Sequence, residues 1–212
     1  MDKYIHIDTF SSFTQVSRET ITSLKMYEKM LIEGNKSLNL IGKSTINNIW
    51  ERHFLDSFQA IDFIDKNDSR LVDLGSGAGF PGLVLALALK DRKLPLKMKL
   101  IEKSPKKVKF LEKIIKELNL DVEVRSQNVF DEKIKLNEDV FVARAFKPLG
   151  IILQLIHSKA RNWKKIIIYL GKTGKAELLQ ASKNWDIKYK QRVSVTSSDS
   201  IIIEVNKLEK IN

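Results

Sequence analysis

The sequence predicts an α/β protein: a seven-stranded, mostly parallel sheet with helices on both faces, preceded by a helical N-terminal extension. Three observations carry that expectation. From residue 70 onward, short apolar runs alternate with amphipathic helical patterns, which implies parallel strands joined by right-handed crossovers. The first third of the chain shows helical periodicity alone. Between the two, Leu71-Val72-Asp73-Leu74 enters a glycine-dense turn, Gly75-Ser76-Gly77-Ala78-Gly79-Phe80-Pro81-Gly82, which leads into an apolar helical pattern over 83–89. That is strand, tight turn, helix. No internal repeat or low-complexity linker divides the chain. Residues 1–66 are therefore expected to form the extension and 67–212 the core, as one compact unit.

Taken in order, Ser17-Arg18-Glu19-Thr20 opens a helix carrying Ile21, Leu24, Tyr27 and Leu31 on one face, with Gly34 and Asn35 expected to stop it. Residues 36–45 read as a polar loop or short turn tacked down by Leu38, Leu40 and Ile41. A second helix is expected over 46–64, with Ile46, Ile49, Trp50, Phe54, Ala60 and Ile61 on one side, and residues 65–69 end it. Strand one spans 70–74 and its helix 81–90, where Pro81 suits the first turn. Strand two covers 96–101 and ends in Glu102. Residues 105–118 form a strong helix, with Val108, Leu111, Ile115 and Leu118 inward and Lys106, Lys109, Lys113 and Lys116 outward. Strands three and four are 122–125 and 139–143, a helix covers 149–159, strand five is 166–170, and a polar helix spans 175–183. Residues 187–195 and 201–205 read as a closing hairpin across Ser197-Ser198-Asp199, which makes the last strand antiparallel.

The 212 residues include no cysteine, which excludes a disulfide frame and thiolate metal ligands; no metal site is expected. Nothing resembles a signal peptide, and no apolar run approaches the ~20 residues of a membrane span. A cytoplasmic monomer without a membrane partner is expected. Thirty-seven basic against 26 acidic residues leave a net charge of +11, which favours a polyanionic partner such as nucleic acid. Lysine excess in an Ile- and Asn-rich chain is also what genomic base bias produces.

Two ligand classes compete for the glycine turn. Gly77, Gly79 and Gly82 satisfy the G-x-G-x-x-G spacing that seats a dinucleotide pyrophosphate on a helix N-terminus. Asp73-Leu74-Gly75-Ser76-Gly77 matches the acid and G-x-G arrangement that binds S-adenosylmethionine (SAM). A carboxylate such as Asp73 at the strand end opposes a pyrophosphate but suits an ammonium or sulfonium, so SAM is favoured. Ligands of such sheets lie beyond the carboxyl ends of the strands. Glu102, twenty residues beyond Gly82, is placed to accept hydrogen bonds from both ribose hydroxyls, the alternative being an exposed charge that opens the Lys-rich helix. Gln127, Asn128 and Val129 follow strand three, where an adenine could meet an apolar edge and an amide. Arg144 ends strand four and either points into the cleft, the favoured reading, or caps a strand end by ion pairing.

The glycine turn, the preceding Arg52-His53-Phe54-Leu55-Asp56-Ser57 and the later Arg144-Ala145-Phe146, with Asn39-Leu40 and the segment 103–111, resemble the ribosomal RNA small subunit methyltransferase G family, also called glucose-inhibited division protein B. The resemblance runs over most of residues 30–175. It is specific less through the glycine turn than through the Arg-His-x-x-Asp-Ser element about 20 residues before it. It implies a Rossmann-like SAM methyltransferase fold with a helical extension. It implies methyl transfer from SAM to ring nitrogen 7 of one guanine in 16S ribosomal RNA. Cofactor positions carried over are Gly75, Phe80, Asn128, Val129 and Arg144; Asp73, Gly77 and Glu102 join them on the reasoning above. The family's Lys-Gly after strand five reads Leu170-Gly171-Lys172-Thr173-Gly174 here, with Lys172 replacing the family lysine.

A ring-nitrogen target agrees with the residues. Methylating a pyrimidine at C5 commonly needs a cysteine nucleophile, and there is none. The Asp/Asn-Pro-Pro-aromatic turn of adenine-amine enzymes is replaced by Ala143-Arg144-Ala145-Phe146. Guanine nitrogen 7 carries a free lone pair and no proton, so alignment suffices and no catalytic acid or base is assigned. Arg52, His53, Arg144 and Lys172 are the expected substrate contacts. Arg52 and Asp56 alternatively form an i,i+4 ion pair that anchors their helix. The lysine stripe at 106, 109, 113 and 116 reads as a solvated face or an RNA contact, and Phe146 as a core ring or a stacking partner for a flipped base. An NAD(P)-linked oxidoreductase is the alternative enzyme, disfavoured because no Tyr-x-x-x-Lys follows the sheet. A non-catalytic RNA-binding protein on the same scaffold is the alternative binder.

Overall fold

A computed structural model describes residues 3–211; residues 1, 2 and 212, which the expected domain division includes, lie outside it. Strands β1 (Arg70–Leu74), β2 (Lys97–Glu102), β3 (Val122–Ser126), β4 (Val140–Arg144), β5 (Lys165–Leu170), β6 (Trp185–Ser194) and β7 (Ser197–Lys210) form one sheet in the order β3-β2-β1-β4-β5-β7-β6. The first five are parallel, and β7 runs antiparallel to both β5 and β6. Strand order reverses between β1 and β4, which opens a crevice at their carboxyl ends.

Alternation along each strand fills both faces. Leu71, Leu100, Val140 and Val142 pack with the N-terminal helices α1 (Lys3–Thr14) and α2 (Arg18–Leu38) and with α4 (Gly82–Asp91) and α5 (Pro105–Glu117). Val72, Leu74, Phe141 and Ala143 pack on the other face with α6 (Leu149–Lys159) and α7 (Gly174–Ala181). Strands buried on both faces need apolar residues at successive positions, which is why β1, β4 and β5 read as continuous apolar runs.

Four elements depart from expectation. Helix α1 was given no element by the sequence, because its residues mix polar and apolar side chains without a clean period. Its Phe10 seats edge-on against Trp50 (5.4 Å) and Phe58 (5.8 Å). Helix α2 does not stop at Gly34 and Asn35 but runs to Leu38, capped by Asn39 in the left-handed region (φ 46°). Gly34 is a packing residue: a Cβ there would lie 2.8 Å from the Phe110 ring of α5. Asn35 closes the following turn by accepting the Ile41 N–H (2.9 Å). The expected single helix over 46–64 is a chain of short turns: 3-10 at Lys43–Asn48, π-helical at Trp50–Leu55, α at Asp56–Phe58 (α3) and 3-10 at Gln59–Phe63. Finally, the hairpin turns at Val195 and Thr196, while Ser197, Ser198 and Asp199 belong to β7. The tip is held there by Gln59, whose Oε1 accepts the Val195 N–H (2.9 Å), and by Asp56.

Candidate active site

The turn after β1 is pinned to β2. Gly75 and Ser76 donate their N–H groups to the Ile101 carbonyl (2.9 and 3.0 Å), and Gly77 donates to Glu102 Oε2 (2.9 Å). Gly77 has φ 58°, and a Cβ there would find no neighbour closer than 3.8 Å, so the main chain is bared toward open space. The other oxygen of Glu102, Oε1, accepts the Ser104 N–H (2.8 Å). Each carboxylate oxygen is thus fixed by one backbone donor and keeps acceptor capacity for a ligand.

These groups border a cavity of about 670 Å³ at the carboxyl ends of β1 to β4. Its walls include Gly75, Gly77, Phe80, Glu102, Asn128, Val129, His53 and Arg144, eight of the eleven residues expected at the site. The other three sit elsewhere. Asp73 is fully buried behind the turn, where its Oδ2 accepts the Gly82 N–H at the start of α4 (3.0 Å) and its Oδ1 has no hydrogen-bond partner. Burial pushes its carboxyl up to about 7. Arg52 is exposed and offers its carbonyl to Arg144, not its side chain to the cavity. Lys172 is exposed on the loop after β5, away from the cavity wall.

Arg144 is held from three directions. Its Nε donates to Asp56 Oδ2 (2.8 Å), one Nη to the Arg52 carbonyl (2.6 Å), and the same Nη approaches His53 Nδ1 (3.4 Å). Asp56 therefore pairs with Arg144 rather than with Arg52, and its Oδ1 accepts from Thr196 Oγ1 (2.9 Å) and Ser194 Oγ (3.2 Å) at the hairpin tip. Arginine has no acceptor, so Nδ1 of His53 faces it as a lone pair. The proton then sits on Nε2, which donates to Thr45 Oγ1 (2.8 Å). Burial foremost, then the Arg144 and Arg52 charges, lower the His53 pKa to about 3. The imidazole is neutral at physiological pH. It stacks on Phe80 (4.9 Å), whose ring also stacks with Tyr27 (5.5 Å) and carries the Arg144 guanidinium at 5.7 Å. Tyr27 donates its hydroxyl to the Ala78 carbonyl (2.6 Å), so α2 braces the glycine turn from behind.

Sequence reasoning missed several of these roles. In the sequence Tyr27 is one more residue on a helix face, and its hydroxyl among aliphatic positions is the one available signal. Leu40, Ile41 and Gly42, expected to be a loop, line the cavity, as do Lys107 and Phe130. The lysines at 106, 109, 113 and 116 are exposed.

This strand order, with a bared glycine turn after β1 and a held acid at the end of β2, defines the class of SAM-dependent methyltransferases. Among solved structures of that fold, TrmK of M. capricolum in complex with S-adenosyl-homocysteine matches with a TM-score of 0.51 at 18% identity, over 71% of this chain and 67% of that one. The 16S rRNA methylase RmtB matches with a TM-score of 0.53 at 18% identity, over 91% and 76%. Such identities establish likeness of fold. The chain belongs to the rRNA small subunit methyltransferase G family (GidB), whose family model matches residues 20–203. The ribosomal RNA small subunit methyltransferase G of Pelagibacter ubique (strain HTCC1062) is 39% identical over 199 residues, 93% of each chain. Among the described residues no helix is long and apolar enough to cross a membrane, and no group of three or more His, Cys, Asp or Glu is gathered for a metal.

Proposed function

We propose that this protein, acting as a cytoplasmic monomer, transfers a methyl group from SAM to nitrogen 7 of a guanine in 16S ribosomal RNA, on the free RNA or the small subunit. The observation that carries the reading is Glu102, fixed by two backbone N–H groups at the rim of a cavity floored by bared glycine backbone. A carboxylate so oriented accepts both hydroxyls of a ribose, and the turn at Gly77, with no side chain and no neighbour within 3.8 Å of where one would stand, admits the rest of a sulfonium nucleoside. Bound there, SAM would supply an electrophilic methyl: the guanine lone pair forms the N–C bond while the C–S pair returns to sulfur, leaving S-adenosylhomocysteine (SAH).

The residues supply position rather than acid–base chemistry. His53 is held neutral and already bonded to Thr45, so it offers no proton near pH 7. Arg144, fixed by Asp56, Arg52 and His53, presents its remaining N–H groups and its charge to the cavity, where the carboxylate of the methionine end or an acceptor on the guanine edge would be met. Asp73 supports the turn through the Gly82 N–H rather than by direct contact. Arg52 and Lys172, both exposed, are left for phosphate contacts beyond the cavity. The test is methylation of 16S RNA and of 30S particles from a strain lacking the protein, followed by mapping of modified nucleosides. One new 7-methylguanosine is expected; a methyl on another atom, or none, overturns the reading.

A further inference from the structure

Two phenyl rings line the cavity besides the eight expected site residues on its wall. Phe130, on the loop after β3, and Phe146, two residues past Arg144, stack with centroids 5.9 Å apart and planes 19° from parallel. Both line the cavity, and Phe130 is 37% exposed, an uncommon setting for a ring that served only the core. Phe146 lies directly over Gly75, where a Cβ would come within 2.2 Å of its ring. Ala145, before it, is left-handed (φ 49°), a conformation uncommon for a residue with a Cβ, and it turns the chain back over the glycine turn. Glu102 and Asn128 mark the ribose and adenine end of the cavity, at β2 and β3. Phe130 starts beside that end, its N–H donated to Asn128 Oδ1 (3.2 Å), and the ring pair runs from there to Phe146, two residues past Arg144. Lys147 Nζ stands 5.9 Å from the Phe130 centroid, and Lys103 and Lys107 line the same cavity.

We propose that Phe130 and Phe146 form the seat of the target base, an aromatic shelf on which an unstacked guanine lies, with Lys147, Lys103 and Lys107 meeting the phosphates on either side. This rests on the function proposed above. A flat ring between phosphates is the ligand whose chemistry matches a flat apolar face between cations. A base lying on this pair presents its edge toward Arg144, where the methyl group would be.

The test compares wild type with Phe146→Leu, Phe146→Tyr and Phe130→Ala, each checked for folding by circular dichroism. SAH affinity is measured by calorimetry, and methylation of unmodified 30S particles at saturating SAM. Leucine keeps the apolar cover over Gly75 but removes the π face. We expect SAH affinity within about twofold of wild type and methylation lowered roughly ten- to a hundredfold, with tyrosine restoring most of it. Phe130→Ala, at the exposed ring, gives the same readout should the Leu variant not fold. Lys147→Gln is expected to flatten the salt dependence of RNA affinity by about one unit of log–log slope. Methylation at the wild-type rate in Phe146→Leu or Phe130→Ala overturns the shelf. So does a parallel loss of SAH affinity, which would make the rings part of the adenine site. Wild-type protein that binds no SAH overturns the functional reading, and the shelf with it.

Discussion

Replacing Asp56 by asparagine should break the link that Asp56 makes between Arg144 and the closing hairpin. The carboxylate uses both oxygens: Oδ2 for Arg144 Nε, and Oδ1 for Thr196 and Ser194. Asparagine has one acceptor oxygen, so it serves one set and turns an N–H toward the other. If it keeps the hairpin, Arg144 loses its counter-ion in a setting where the two side chains are 15% and 16% exposed. A charged hydrogen bond contributes about 1.5–3 kcal/mol, and an unpaired, mostly buried guanidinium adds to the loss. We expect about 2–3 kcal/mol of destabilisation, seen in urea as a midpoint lower by about 1 M for a slope of 2–3 kcal/mol/M. Thr196→Ala removes one neutral bond and should cost about 1 kcal/mol. Unfolding of Asp56→Asn at the wild-type midpoint, with methylation intact, would refute the claim that Asp56 fixes Arg144.

Two further perturbations test the packing and the electrostatics. His53 is neutral when folded down to a pKa of about 3 but takes a proton near 6.5 when unfolded, so its contribution is lost as pH falls through that window. Asp73, raised to about 7 by burial, contributes the opposite slope from about 4 upward, so the two largely cancel in wild type. His53→Gln removes one side of the balance: the stability gap to wild type should widen by about 1.4 kcal/mol per unit from pH 4 to 6. An equal gap in urea melts at pH 4, 5 and 6 would disprove a neutral, buried His53. Gly34→Ala gains about 1 kcal/mol of helix propensity but drives a Cβ to 2.8 Å from Phe110, an overpacking cost of about 1–3 kcal/mol. A lower melting temperature is expected, and a higher one would show that α2 and α5 do not need glycine at their contact.

How much was legible in the sequence follows from which interactions are local. The five parallel strands, α4 and α5 were readable because burial on two faces or one writes itself into the chain as an apolar run or a 3.6-residue stripe. Glu102 and Arg144 were found by topology, since strand ends converge on one crevice. The 43–63 segment was not, because an apolar face looks alike whether the turns are 3-10, α or π. Gly34 and Asn35 mimic a helix stop; only the nearness of Phe110, 76 residues away, reveals a packing glycine. The partners of Asp56 were invisible for the same reason. Arg144, Ser194 and Thr196 lie 88, 138 and 140 residues off, while the local i,i+4 partner Arg52 was the decoy.

The most direct test is calorimetric titration of SAH into wild type and Glu102→Ala. Bared glycine backbone and a pre-oriented carboxylate predict a single site in wild type, with affinity weakened roughly ten- to a hundredfold once the ribose acceptor is gone. Absence of heat in wild type, or equal affinity in the two proteins, would contradict the placement of the nucleoside against Gly77 and Glu102.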